Sequence, residues 1–168
     1  MHLSIDESRE KFALYGFEML VPRDWRLELN PKATRAKGDL VFHSPKENRF
    51  YVSWGEMSEL EGRFKSLQEH RDKNIKQIQS GPDVKTVNVS DSYEERVSGH
   101  TALFSKVSAD VKAGMFSRQV LERNMWSMHI YCEEGSRYYV IYCLLRDTAE
   151  YSDFGAAFKS WARTLVCH

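Results

Sequence analysis

Phe116–Leu145 reads FSRQVLERNMWSMHIYCEEGSRYYVIYCLL, and the way this stretch pairs with itself decides the fold. Two segments of alternating apolar residues flank Glu133-Glu134-Gly135. The pattern is that of a β-hairpin with a three-residue connection, Gly135 taking the backbone position that needs positive φ. That register sets Cys132 opposite Ser136, Ile130 opposite Tyr138, Met128 opposite Val140 and Trp126 opposite Tyr142. Side chains alternate along a strand, so Trp126, Met128, Ile130, Tyr138, Val140, Tyr142 and Leu144 share one face. His129 then falls on the other face, with Ser127, Tyr131, Tyr139, Ile141 and Cys143. The hairpin is the expected centre of an antiparallel sheet.

Upstream of it, Thr101 to Val111 alternates in the same way, and Lys112-Ala113-Gly114 is the expected turn into a strand from Met115, with a kink near Asn124. Val84, Val87 and Val89 suggest another strand ending near Asp91-Ser92. Before these lies a helix. Ser58 and Glu61 fit a capping box, and Leu60, Phe64, Leu67, Arg71, Ile75 and Ile78 follow at helical spacing, giving a helix over about 59–79 stopped by Gly81-Pro82. Phe17–Val21, Trp25–Leu29, Leu40–Phe42 and Phe50–Trp54 read as four earlier strands. Pro22 breaks the first pair, and 43–48 forms a turn. Residues 1–14 are a short helix or an ordered arm. Downstream, Asp147 and Glu150 fit a second capping box. Tyr151, Phe154, Phe158, Trp161 and Leu165 mark an amphipathic closing helix, whose alanines allow close approach to a sheet.

The order implies an α+β fold, with a largely antiparallel sheet of about six to seven strands packed with two main helices, in one domain spanning 1–168. A chain of 168 residues can bury roughly two thirds of its unfolded surface without a metal or disulfide. Lysine and arginine balance aspartate and glutamate at 24 each, which argues against nucleic acid as a partner and favours homo-oligomers over a strongly repelling surface. No run approaches the roughly 18 apolar residues of a membrane span, and no basic-then-apolar leader opens the sequence. The three cysteines, two of them placed on opposite faces of the hairpin and Cys167 at a mobile end, fit a reducing, cytoplasmic setting.

Phe17-Glu18-Met19-Leu20-Val21-Pro22-Arg23-Asp24-Trp25, followed by a strand pair, a helix, long antiparallel strands and an aromatic closing helix, resembles the PsbP/Mog1-like superfamily. The resemblance covers about 15–166. It implies a small non-enzymatic protein. Some members assist photosystem II, one group binds the Ran GTPase, and others are bacterial lipoproteins. No partner-binding residue of those proteins maps onto this sequence.

The chemistry-bearing residues form no local signature. The six histidines are dispersed, there is no H-x-H, H-E-x-x-H or C-x-x-C, and the glycines are isolated rather than clustered in a phosphate loop. The acidic pairs have no spacing that would set two carboxyls around one substrate. The expectation is therefore no catalytic residue, no metal and no cofactor. Two features point to binding. The face carrying His129, Tyr131 and Tyr139 offers aromatic bodies with polar tips, suited either to a pocket or groove or to a second core layer under a helix. The loop bearing Lys32, Arg35 and Lys37 lacks a compensating acid and suits an anionic group or acidic partner. The leading expectation is an accessory protein acting by noncovalent protein contact. The alternatives are a small-molecule carrier or sensor with a pocket on the sheet, and an enzyme of unassigned class.

Overall fold

In the computed structural model, which describes residues 9–114, 118–145, 148–150 and 152–168, seven strands form one antiparallel sheet. Strands β1 (Arg9–Leu14) and β2 (Phe17–Pro22) make a separate hairpin. Strands β3 (Arg26–Leu29), β4 (Gly38–His43) and β5 (Arg49–Glu56) lead to helix α1 (Leu67–Gln79). Strands β6 (Val84–Val97), β7 (His100–Lys112), β8 (Val120–Cys132) and β9 (Arg137–Leu144) lead to helix α2 (Phe154–Ala162). The sheet order is β3-β4-β5-β9-β8-β7-β6. Two meanders, one on each side of α1, thus meet where β5 pairs with β9. The expected fold class is the one observed.

Several elements differ from the sequence reading for local reasons. Residues 9–14 form a strand, not a helix, because each pairs in turn with β2. Residues 1–8 lie outside the described residues. The strand expected to end near Asp91 continues to Val97, absorbing a register shift between Val89 and Asp91. It then turns through Ser98 and Gly99, both at positive φ as a two-residue hairpin requires. Strand β8 pairs without interruption past Asn124, and Met115–Ser117 lie outside the described residues.

Helix α1 begins at Leu67 rather than near residue 59. Ser58 lies in a single 3-10 turn, and Gly62 follows at positive φ. The cap is Ser66, whose hydroxyl accepts from the Glu69 N–H at 3.1 Å. Asp153 caps α2 in the same way, accepting from Ala156 N–H at 3.0 Å. Of the capping box expected there, Asp147 lies outside the described residues. Glu150 serves the β4–β5 turn instead, accepting from Ser44 Oγ and Asn48 Nδ2, both at 2.5 Å.

The central hairpin carries the largest correction. Its loop has four residues, closed by Ser136 N–H donating to the Glu133 carbonyl at 3.0 Å. Ser136, not Gly135, takes positive φ, at 51°. Cys132 therefore pairs with Arg137, Ile130 with Tyr139, Met128 with Ile141 and Trp126 with Cys143. A shift of one residue exchanges the faces of one strand against the other. Trp126, Met128 and Ile130 share their face with Tyr139, Ile141 and Cys143. Ser127, His129 and Tyr131 share theirs with Tyr138, Val140 and Tyr142.

The first of these faces is the main core. Helix α2 and strand β2 cover it, burying Phe158, Trp161, Phe17 and Met19 against Phe50, Val52, Trp54, Phe104 and Met128. Burying a side chain such as Phe158 stabilises by about 1.5–3 kcal/mol. Trp25 precedes β3 and stacks on Phe50 at 4.2 Å between ring centroids, partly buried against this core. Gly155 lets α2 approach closely, since a Cβ there would lie 2.7 Å from the Trp126 ring. Cys132 and Cys143 lie on this one face rather than on opposite faces. Their pairing partners place them at opposite ends of the hairpin, about 20 Å apart along the strands. Cys167, expected to be mobile, is buried, and all three thiols are free.

Candidate functional site

The other face of the sheet is only half covered. Helix α1 packs over β6, β7 and β8. The face of β4, β5 and β9 beside it stays open, and the boundary is a groove of about 1170 Å³. One wall is α1 itself, through Arg71, Asn74, Ile75 and Ile78, which follow at helical spacing. The floor comes from alternate residues of the strands, including Val107, Ala109, Met125, Ser127, His129 and Val140. The far wall holds Tyr51, Ser53 and Tyr142, and Asn30, Lys32, Thr34 and Lys37 form the rim.

Each part of this groove has an identifiable support. Tyr51 and Tyr142 are cross-strand partners whose rings stack at 4.6 Å with 7° between their planes. The rim loop is held from beneath by Trp54, whose Nε1–H donates to the Thr34 carbonyl at 2.9 Å. Gly38 allows that approach, since a Cβ there would meet Ala33 and Trp54 within 2.7 Å. Asn30 donates to Asp39 at 2.6 Å and accepts from the Lys32 N–H at 3.0 Å, fixing the start of the loop.

At the α1 end the two histidines are bonded into the structure. Asn74 Nδ2 lies 2.9 Å from His129 Nε2, and His70 Nδ1 lies 3.1 Å from the Tyr131 hydroxyl. Burial lowers the His70 pKa to about 4. Burial, then the charges of His70 and Arg71, lower that of His129 to about 3. Both imidazoles are therefore neutral near pH 7, and they supply hydrogen bonds and ring surface rather than charge. His129 Nδ1 and Ser127 Oγ are buried without a hydrogen-bond partner among the described residues.

The fixed charge of the lining is one-sided. Lys32, Lys37, Arg71 and Arg123 face a single carboxylate, Asp39. Lys37 reaches Glu59 at 3.6 Å and Arg71 reaches Asp72 at 2.8 Å, so part of that charge is locally balanced.

The groove brings together three of the residues anticipated from sequence: Lys32, Lys37 and His129. Tyr131 stands just beyond, linked to them through His70. Tyr139 is not with them. It is fully buried on the opposite face, where its ring meets Phe17 at 5.5 Å and burial raises its pKa. Arg35 does not line the groove either. Its carbonyl accepts from Arg137 Nη1 at 3.1 Å, part of a cluster in which the same guanidinium also takes the Tyr15 and Gly16 carbonyls. The residues that sequence reasoning missed are Tyr51, Tyr142, Asn74 and Arg123. The register shift concealed Tyr142. Asn74 was legible as a neighbour of Arg71 and Ile75 on the inner side of the helix.

No protein-family model matches the chain, and no curated protein matches it in sequence. Solved structures do. The solution structure of cyanobacterial PsbP (CyanoP) from Synechocystis sp. PCC 6803 aligns with a TM-score of 0.68 at 14% identity, covering 100% of this chain and 96% of that one. The Ran-binding protein Mog1p of Saccharomyces cerevisiae aligns with a TM-score of 0.62 at 10% identity, covering 95% of each chain. The chain has the PsbP/Mog1-like fold, as its element order suggested. At such identities the likeness concerns fold alone.

Proposed function

We propose that this is a non-catalytic accessory protein that takes a protein partner by noncovalent contact in the groove between α1 and the open face of β4, β5 and β9. The observation that carries this reading is the composition of the groove: an apolar and tyrosine-rich lining with four cations against one carboxylate. Such a surface suits a polypeptide segment that presents apolar side chains and acidic groups together. Tyrosine and arginine are the residue types that concentrate at binding hot spots. That a protein with a similar fold, Mog1p, is described as Ran-binding supports the class of role and identifies no partner here. Among the described residues no helix is long and apolar enough to cross a membrane, and the setting we propose is cytoplasmic.

A small-molecule carrier is the second reading, favoured by the volume of the groove, about 1170 Å³, and by its apolar and tyrosine lining with a few polar groups. One experiment separates the two. Tagged protein is captured from its own cell extract, and the retained proteins and small molecules are identified by mass spectrometry, in parallel with a Lys32→Glu/Lys37→Glu variant. The reading expects a stoichiometric protein that the variant loses. A small molecule retained without a protein would replace it with the carrier. A partner held equally by both forms would place the interface elsewhere.

A further inference from the structure

Where β7 opens and β8 closes, four side chains with metal-binding atoms converge: His100, Cys132, Cys167 and His168. Three elements deliver them. His100 opens β7 directly after the Ser98-Gly99 turn, and Cys132 closes β8 directly before its four-residue loop. Cys167 and His168 arrive on the segment after α2, which is fastened to β2 by paired backbone hydrogen bonds between Glu18 and Val166.

The four ligating atoms all lie within 4.8 Å of one another. His168 Nδ1 is 3.4 Å from His100 Nε2, 3.7 Å from Cys132 Sγ and 3.6 Å from Cys167 Sγ. One imidazole nitrogen has a single lone pair or a single hydrogen and cannot bond all three. The spacings match another arrangement. In a tetrahedral zinc centre, Zn–N of about 2.0–2.1 Å and Zn–S of about 2.3 Å put nitrogens about 3.4 Å apart and nitrogen about 3.6 Å from sulfur.

We propose that His100, Cys132, Cys167 and His168 form a Cys2His2 site for one zinc ion. Two thiolates and two imidazoles are a donor set suited to zinc in tetrahedral geometry. Four protein ligands close the coordination sphere, which makes the site structural. Binding displaces the two thiol protons, and the resulting dithiolate cancels the charge of the ion. Ser98 Oγ, 3.6 Å from Cys167 Sγ and 3.3 Å from the Cys167 backbone nitrogen, is placed to donate to the thiolate. Glu134 Oε2 lies 2.8 Å from His100 Nε2 and gives up that contact when the nitrogen turns to the metal. The ion would clamp the 167–168 segment to the ends of β7 and β8. None of these residues lines the groove, so the proposal stands apart from the groove's occupant.

Cobalt provides the test. The full chain, purified without a polyhistidine tag and kept reduced under anaerobic conditions, is titrated with Co2+ and then with Zn2+. The expected result is one Co2+ per chain, with the visible bands of tetrahedral cobalt and a near-ultraviolet thiolate charge-transfer band, both removed by one equivalent of Zn2+. His100→Ala and His168→Ala keep both thiols. Each should weaken zinc binding by more than about 100-fold, and Ser98→Ala by about 10- to 100-fold, the range for residues supporting metal ligands. An octahedral cobalt spectrum without the thiolate band would overturn the site. So would parent-like zinc affinity in both histidine variants.

Discussion

Asn74 Nδ2 lies 2.9 Å from His129 Nε2, a bond that joins helix α1 to the interior of strand β8. With the amide as donor, the imidazole accepts at Nε2 and carries its hydrogen on the buried Nδ1. The same helix presents His70 to Tyr131, so two neutral histidines tie α1 to the sheet at the head of the groove.

Neutrality of these rings makes stability depend on pH. In the unfolded chain a histidine takes up its proton near pH 6.5. In the folded chain burial delays protonation to about 4 for His70 and, helped by the charges of His70 and Arg71, to about 3 for His129. Between those limits the unfolded state binds more protons, so stability falls as pH drops below about 6.5. The urea midpoint should decrease between about pH 7 and about pH 5, and His129→Leu should flatten that decrease. A midpoint constant over this interval would contradict the buried, neutral assignment.

Tyr139 belongs to the core and not to the groove. Its hydroxyl is buried without a hydrogen-bond partner among the described residues, so Tyr139→Phe should cost less than about 1 kcal/mol or stabilise slightly. Tyr139→Ala should cost about 3–5 kcal/mol, as large aromatic truncations do. Chemical denaturation measures both. A large loss on Tyr139→Phe would show that the hydroxyl has a partner.

The start of α1 distinguishes two serines with the same local pattern. Ser66→Ala removes the hydroxyl that accepts from Glu69 and should cost about 0.5–2 kcal/mol. Ser58→Ala, in the 3-10 turn, should stay within about 0.5 kcal/mol. Equal losses would mean that the helix begins earlier.

Close packing of α2 on the sheet rests on a missing side chain. At Gly155 a Cβ would meet the Trp126 ring at 2.7 Å. Gly155→Ala should therefore destabilise by about 1–3 kcal/mol, the usual cost of overpacking, despite the better helix propensity of alanine. A stabilised variant would show that the helix can shift without loss.

The element order was legible in the sequence because alternation and helical spacing follow directly from which side of each element is buried. The central register was not. Gly135 is the residue best suited to positive φ, and reading it so gives a three-residue loop. The chain instead places Ser136 there at 51°, and that one-residue difference exchanged Tyr138 for Tyr139 on the groove face. The two S-x-x-E patterns at Ser58 and Ser66 were likewise equivalent on paper, and Gly62 between them was the available clue. Lys32, Lys37 and His129 were found from charge and alternation. Their meeting in one groove depends on the β5–β9 pairing, a tertiary fact. The Cys2His2 cluster is further from view, since strand ends distant in sequence bring its members together and no spacing motif marks them.

The groove between α1 and the open face of the sheet is the proposed binding surface. The most direct measurement is titration calorimetry of the captured partner against the parent protein, Lys32→Glu/Lys37→Glu, and Lys85→Glu, an exposed charge on β6 outside the groove. Binding should weaken by at least about tenfold in the groove variant and weaken with added salt, while Lys85→Glu binds as the parent does. Equal affinity in all three forms, or equal loss in both variants, would contradict it.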